Sequence, residues 1–234
     1  MHFRIPIGPG IVNRFVPNPE LKPQRTTTWE AGAGIDFQDI LGPGDRFQVK
    51  GSRYVTRGTD FIDLRVDQPT PFVTCNPFIP GNCDGTTTAS NVGRAKLRGT
   101  EVEAVYDHPR ARLAINYAWI DGKDRDTGER LGVLFPENVN ADGAVKLPEI
   151  DSIFGWRVTY ATRFTKVNDP AQERGSFVVH DTYFAWAPSD GLLQGLRVDL
   201  AVDNIFDKAY ARAFTGAFET GRNVKGLLTY TMTW

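Results

Sequence analysis

A chain of 234 residues with a formal net charge of −1 suits one β domain or a piece of a larger one. Hydrophobic residues make up 41 %, mean hydropathy is −0.33, and no stretch approaches the ~18 consecutive apolar residues of a membrane helix, so a helical membrane protein is excluded. A membrane β-barrel is not excluded, because only every second strand residue must face lipid; the interspersed charges give no electrostatic footprint for nucleic acid.

The opening MHFRIPIGPGIVNRF has no charged segment followed by an apolar one and does not read as a signal peptide. For an exported protein this predicts that the true N-terminus lies upstream. From residue 28 onward the period is 2. Trp29, Ala31, Ala33, Ile35 and Phe37 alternate with Glu30, Gly32, Gly34 and Asp36. Phe47 and Val49 open a strand that runs, through a bulge near Tyr54, to Ile62 and Leu64. Thr100, Val102, Ala104 and Tyr106 oppose Gly99, Glu101 and Glu103. Ala111, Leu113, Ile115, Tyr117 and Trp119 oppose Arg112, Ala114, Asn116 and Ala118. After a short strand before Leu147, Phe154, Trp156, Val158, Tyr160 and Phe164 oppose Gly155, Arg157, Thr159 and Arg163. Phe177 to Ala187 is a strand of ambiguous facing. Val198, Leu200 and Val202 oppose Arg197, Asp199 and Asp203, and Val224, Leu228, Tyr230, Met232 and Trp234 oppose Asn223, Lys225, Thr229, Thr231 and Thr233. The expectation is about nine strands.

The connections alternate in length. Residues 39–45, 107–110, 147–151 and 187–195 are short turns; 67–93, 121–140, 166–175 and 207–221 are long and polar. Outer-membrane barrels show this asymmetry, with short periplasmic turns and long extracellular loops. It places Cys75 and Cys83 outside the cell, where the pair reads as a disulfide-closed loop, the alternative being two free thiols. The scattered His2, His108 and His180 do not suggest a zinc site.

A soluble β-sandwich also has period 2. Against it stand the aromatics near strand ends (Trp29, Phe37, Trp119, Phe164, Trp186, Tyr210, Trp234) and the charged inner face, where Glu30, Glu101, Glu103, Arg112, Arg157, Arg163 and Arg197 would line a lumen. The fold class expected is therefore all-β, an antiparallel up-and-down transmembrane barrel.

Four segments resemble the TonB-dependent outer-membrane receptor family across nearly the whole chain. VDNIFDKAY (202–210), with Asn204, Phe206, Asp207 and Tyr210, resembles a signature near the family's C-terminus. The final strand, with Tyr230, Met232 and Trp234, resembles its assembly signal, though Phe is commoner than Trp at the end. RAKLRGTEVEAVY (94–106) resembles a recurrent barrel strand, and FVPNPELKPQRTTTWEAGAG (15–34) resembles another, with Asn18, Pro19 and Leu21 matching and Gln24 departing from the usual Glu. The resemblance implies a partial barrel: residues 1–234 would be the C-terminal part of a plugged 22-stranded barrel, the plug and N-terminal strands being absent.

The resemblance also implies active uptake of an iron-bearing ligand in the bacterial outer membrane. Its partners would be membrane lipid, the TonB complex (through the missing N-terminal part), the barrel-assembly machinery and a haem-carrying protein. No intrinsic cofactor is implied. The haem and haemoglobin branch is suggested by Asn18-Pro19-Glu20-Leu21 and, loosely, by Phe3-Arg4-Ile5-Pro6; His2 would then be an axial haem ligand, or else an ordinary loop residue. Alternatives are a ferric-siderophore receptor, a passive porin and a non-functional truncated remnant. No catalytic motif is present, so an enzyme is not expected; Glu101 and Glu103, at i and i+2, read as plug or water contacts.

Overall fold

Cross-strand register assigns nearly every strand residue to one of two faces. The computed structural model describes residues 4–8, 11–69, 71–132, 134–215 and 217–232. These hold eleven strands: β1 (Arg4–Gly8), β2 (Ile11–Val16), β3 (Arg25–Gln38), β4 (Arg46–Asp67), β5 (Gly85–His108), β6 (Ala111–Asp124), β7 (Asn138–Leu147), β8 (Ser152–Ala161), β9 (Phe177–Trp186), β10 (Leu196–Asp203) and β11 (Asn223–Tyr230). From β3 to β11 each strand pairs antiparallel with the next. The outer edges of β3 and β11 have no partner among the described residues.

One face is apolar along its whole width. The row Ala33, Gly51, Val102, Tyr117, Val139 and Tyr160 crosses β3 to β8 through direct Cα partners. The row Phe154, Phe184, Leu200 and Gly226 continues it to β11. Trp29 is 77 % exposed and Leu228 68 %. A sandwich would cover such a face with a second sheet; here no layer of the described residues covers it, as expected of a surface that meets lipid. The few fully buried apolar side chains lie instead at the long-loop end, where Val92, Ala95 and Leu131 pack with Phe61 and Leu97.

Short turns join β3–β4, β5–β6, β7–β8 and β9–β10 at one end, and long loops join the alternate pairs at the other. Four features differ from the sequence reading. First, the end of the expected 67–93 loop, from Gly85 on, is strand: β4 has 22 residues and β5 has 24. A strand crossing a bilayer needs only ~9–11, so this hairpin stands well clear of the lipid. Second, β1 and β2 were not expected, and β2 runs parallel to β5, pairing Asn13–Val16 with Gly85–Thr88. It takes the β5 edge left free where β6 stops pairing, at Ala95 opposite Asp124. Third, β4 keeps one register past Tyr54 without a bulge; the irregular residue is Asp60, at φ 49°. Fourth, β8 ends at Ala161, so Arg163 and Phe164 belong to a loop. Arg163 pairs there with Glu173 at 2.8 Å and is no part of the polar face, and Phe164 is buried at 1 % exposure and no part of an interfacial ring belt. His2, Phe3 and Trp234 lie outside the described residues.

Candidate functional site

The second face is polar. Register sets Glu30, Glu101, Glu103, Arg112, Arg157 and Arg197 on it, opposite the apolar rows. Its charges are partly self-neutralised: Lys50 meets Glu103 at 2.9 Å, Arg157 meets Asp142 at 3.1 Å and Arg197 meets Asp199 at 2.7 Å. Glu30, Glu101 and Arg112 have no ion pair among the described residues. Gly32 and Gly34 leave a groove of ≈ 560 Å³ between Lys50, Glu101, Glu103 and Asn116. Two glycines on this face are covered by tyrosines from the neighbouring strand. A Cβ on Gly99 would meet the Tyr54 ring, and one on Gly155 the Tyr183 ring, at 2.3 and 2.0 Å. The Tyr183 hydroxyl donates to Asp142 at 2.8 Å, so ring and ion pair hold each other.

At the long-loop end β10 gives way to residues 204–222 through Asn204, which is 3 % exposed. Asn204 adopts φ 49°, a region Asn tolerates better than most residues. Its backbone N–H donates to Asp181 of β9 at 2.7 Å. Its side-chain carbonyl accepts from the Lys208 N–H at 2.8 Å, and its amide donates to the Lys208 carbonyl at 2.9 Å. Asp207, at φ 54°, accepts from the Arg222 N–H at 2.8 Å and so joins the two ends of the loop. The Phe206 ring thereby reaches the apolar side, 5.1 Å from His180 and 6.2 Å from Trp156, whose indole N–H donates to His180 Nδ1 at 3.1 Å. Tyr210 packs on Phe177 at 4.5 Å. Beneath the loop lies a charged cup of ≈ 410 Å³ lined by Arg157, Asp181, Asp203, Arg212 and Glu219.

The long loops are fastened to one another. Phe214 sits 5.3 Å from Phe164 and 6.3 Å from Phe135, tying three loops by their rings. Asn168 exchanges two hydrogen bonds with the Arg130 backbone, both at 2.9 Å. Gln172 donates to the Val66 carbonyl at 2.7 Å, and the Gly132 N–H donates to the Asp63 carboxylate at 2.8 Å, so the loops also grip the β4–β5 hairpin. Cys75 and Cys83 are disulfide-bonded in the hairpin's tip.

The Asn18-Pro19-Glu20-Leu21 segment crosses the same hairpin. Asn18 donates to the Ala89 carbonyl at 3.0 Å, and Asn91 brackets Lys22, accepting from its N–H at 2.7 Å and donating to its carbonyl at 2.9 Å. Gln24 accepts from the Ile62 N–H at 2.9 Å, so the departure from Glu keeps an acceptor there. At the opposite end Asp45, 2 % exposed, organises the β3–β4 turn. Its desolvation opposes ionisation, but the Leu41 and Ile40 N–H groups at 2.8 Å and the Tyr106 hydroxyl at 3.1 Å outweigh it and hold the carboxyl below its usual value. His108 closes the β5–β6 turn, its Nδ1 accepting from the Arg110 N–H at 3.1 Å, and His180 faces the apolar side; neither lies at the charged cup. Among the described residues no three His, Cys, Asp or Glu side chains are grouped to hold a metal.

The sequence singled out the Asn204 segment and the polar face, but not the anchoring partners Asp181, Asp63 and Asn91, whose roles depend on contacts distant in the chain. A family model described as TonB dependent receptor-like, beta-barrel matches residues 3–205. The chain is 32 % identical over 233 residues to a hemin receptor of Yersinia pestis, covering 98 % of this chain and 32 % of that protein. It is 30 % identical over 222 residues to heme/hemopexin utilization protein C of Haemophilus influenzae, covering 92 % and 30 %. The chain thus spans about a third of the length of the curated relatives it matches. In fold it is similar to the hemophore receptor HasR of Serratia marcescens, solved with its hemophore and heme (TM-score 0.64, 20 % identity, 93 % of this chain and 32 % of that one). It is similar also to the copper transporter OprC (TM-score 0.68, 18 % identity, 90 % and 32 %).

Proposed function

This chain belongs to the TonB-dependent receptor family, as part of its β-barrel in the bacterial outer membrane, and from that premise we propose that the whole receptor imports haem. The observation that carries the cargo is the identity of about 30 % with proteins named for hemin and heme, over nearly the entire chain. In this reading the fastened loops and the charged cup form part of the outward-facing capture surface. The polar face is lumen wall, with Arg157 and Arg197 set to meet a plug. The apolar face meets membrane lipid, the terminal segment containing Tyr230 and Met232 is read by the assembly machinery, and import is driven by the TonB complex. A haem-carrying protein delivers the cargo, and His2 ligates its iron. The protein is a transporter; Glu101 and Glu103 have a structural rather than a catalytic role.

The test is growth. In a strain unable to make haem and lacking other haem receptors, the full-length receptor is expected to restore growth on hemin only when TonB is present. Growth on a ferric siderophore but not on hemin would sink the haem assignment and favour a siderophore. Hemin-dependent growth without TonB would favour a passive pore, and no growth on either a receptor that does not transport.

A further inference from the structure

On the apolar face, just beyond its ring-bearing margin at the long-loop end, the sheet carries a compact set of cations. Arg57, Lys96 and Lys123 are consecutive Cα partners on β4, β5 and β6. They share one row of the face that presents Trp29, Val55 and Tyr117 to lipid, two residues along each strand from the row Val55, Arg98 and Asp121. Arg53 and Arg25 lie on the same face of β4 and β3. All five are exposed, and none has an ion-pair partner among the described residues. The nearby acids are already engaged: Asp121 by Arg98 at 3.1 Å and by Arg130, and Asp126 by Arg94 at 2.5 Å. Trp119, one row nearer the bilayer, already carries Arg98 at 5.5 Å and Lys166 at 5.2 Å over its ring.

Like charges directly opposite one another across strands destabilise a sheet unless something neutralises them. The place fixes what that is. Trp29 and Trp119 mark the interface, where aromatic rings sit at headgroup level. Arg57, Lys96 and Lys123 stand immediately outside it; beneath them come the paired Arg98 and Asp121, then Arg53 level with Trp119, and below that the apolar rows begin with Ala33, Gly51, Val102 and Tyr117. A ligand that satisfies both carries phosphate at one end and acyl chains at the other. We propose that the outward face of β3–β6 binds a phosphorylated lipid of the outer leaflet. The phosphates sit on Arg57, Lys96 and Lys123, and the acyl chains lie along the apolar rows below. A soluble anion would use the cations but not the apolar surface; an unphosphorylated lipid would use the surface but not the cations.

The test uses the full-length receptor in neutral detergent, titrated with bisphosphorylated lipid A and followed by thermal shift and native mass spectrometry. Removing three cations at roughly fivefold each, in the triple variant Arg57→Ala/Lys96→Ala/Lys123→Ala, is expected to weaken binding on the order of a hundredfold. The variant Arg57→Lys/Lys96→Arg/Lys123→Arg is expected to bind as the parent does and shows that charge, not folding, is what was lost. Arg112→Ala, on the polar face, is expected to change nothing. Equal binding by the parent and the triple variant overturns the proposal. So does equal binding of dephosphorylated lipid A, or displacement of lipid A by inorganic phosphate at matched phosphate concentration. None of these readouts depends on the cargo, so failure here and failure of the haem assignment are distinguishable.

Discussion

Removing the Asn204 side chain strips a buried junction of one acceptor and one donor, both serving the Lys208 backbone. Buried groups left unpaired cost about 1–3 kcal/mol. Asn204→Ala is therefore expected to lower stability by about that amount, seen as an earlier thermal transition of the purified receptor and faster exchange of the Lys208 amide. An unchanged Lys208 amide would mean that the loop is held elsewhere. Asp45 makes a different prediction, in pH. Its folded-state value lies below the ordinary 3.8 because four donors, from Leu41, Ile40, Tyr106 and Gly42, favour the carboxylate over the cost of burial. The stabilisation is complete above the ordinary value and disappears as pH falls through the lowered one. The melting temperature should therefore drop between roughly pH 5 and pH 2 with a component that Asp45→Asn removes. Identical pH profiles for parent and variant would refute it.

Among elements, the tyrosine-covered glycines test how tightly neighbouring strands are matched. A methyl group at Gly155 would occupy the Tyr183 ring position, 2.0 Å from its Cζ, and displace the hydroxyl from Asp142. Overpacking of this kind costs about 1–3 kcal/mol, so Gly155→Ala should destabilise the sheet by that much in thermal unfolding, whereas Gly143→Ala, whose Cβ would meet only Leu113 at an ordinary 3.9 Å, should be near neutral. The strands themselves were legible because lipid demands apolar side chains at every second position: Trp29 to Phe37 and Leu113 to Trp119 show the alternation without interruption. Where lipid ends, the demand ends too. GTTTASNVG (85–93) reads as loop yet is strand, since a ladder in water needs no apolar face. Conversely, the alternation runs on past Ala161 to Phe164, although the chain has left the sheet, because Phe164 is apolar for a loop core that the local pattern cannot reveal. The Asn204 junction was legible as a motif, but its partner Asp181 lies 23 residues away and leaves no local signal.

For the whole molecule, β3 and β11 each present a row of backbone groups unpaired among the described residues. Open edges are not tolerated in lipid, where no water can satisfy them. A polypeptide of these 234 residues alone, refolded into detergent or vesicles, is therefore expected to give no heat-modifiable, protease-resistant band, whereas the full-length receptor gives one. A resistant band from the short polypeptide would show that the two edges find each other. At the opposite extreme of order stand the long loops. Phe214 and Phe164, Asn168 and Arg130, Gln172 and Val66 join segments that are remote in the chain but share one packed layer. Receptors are often imagined as frames whose loops can be exchanged singly to retune what they capture. Here a transplanted loop would arrive without its neighbours' rings and amides, so the heritable unit of specificity is the entire layer, and any successful chimera must carry it across intact.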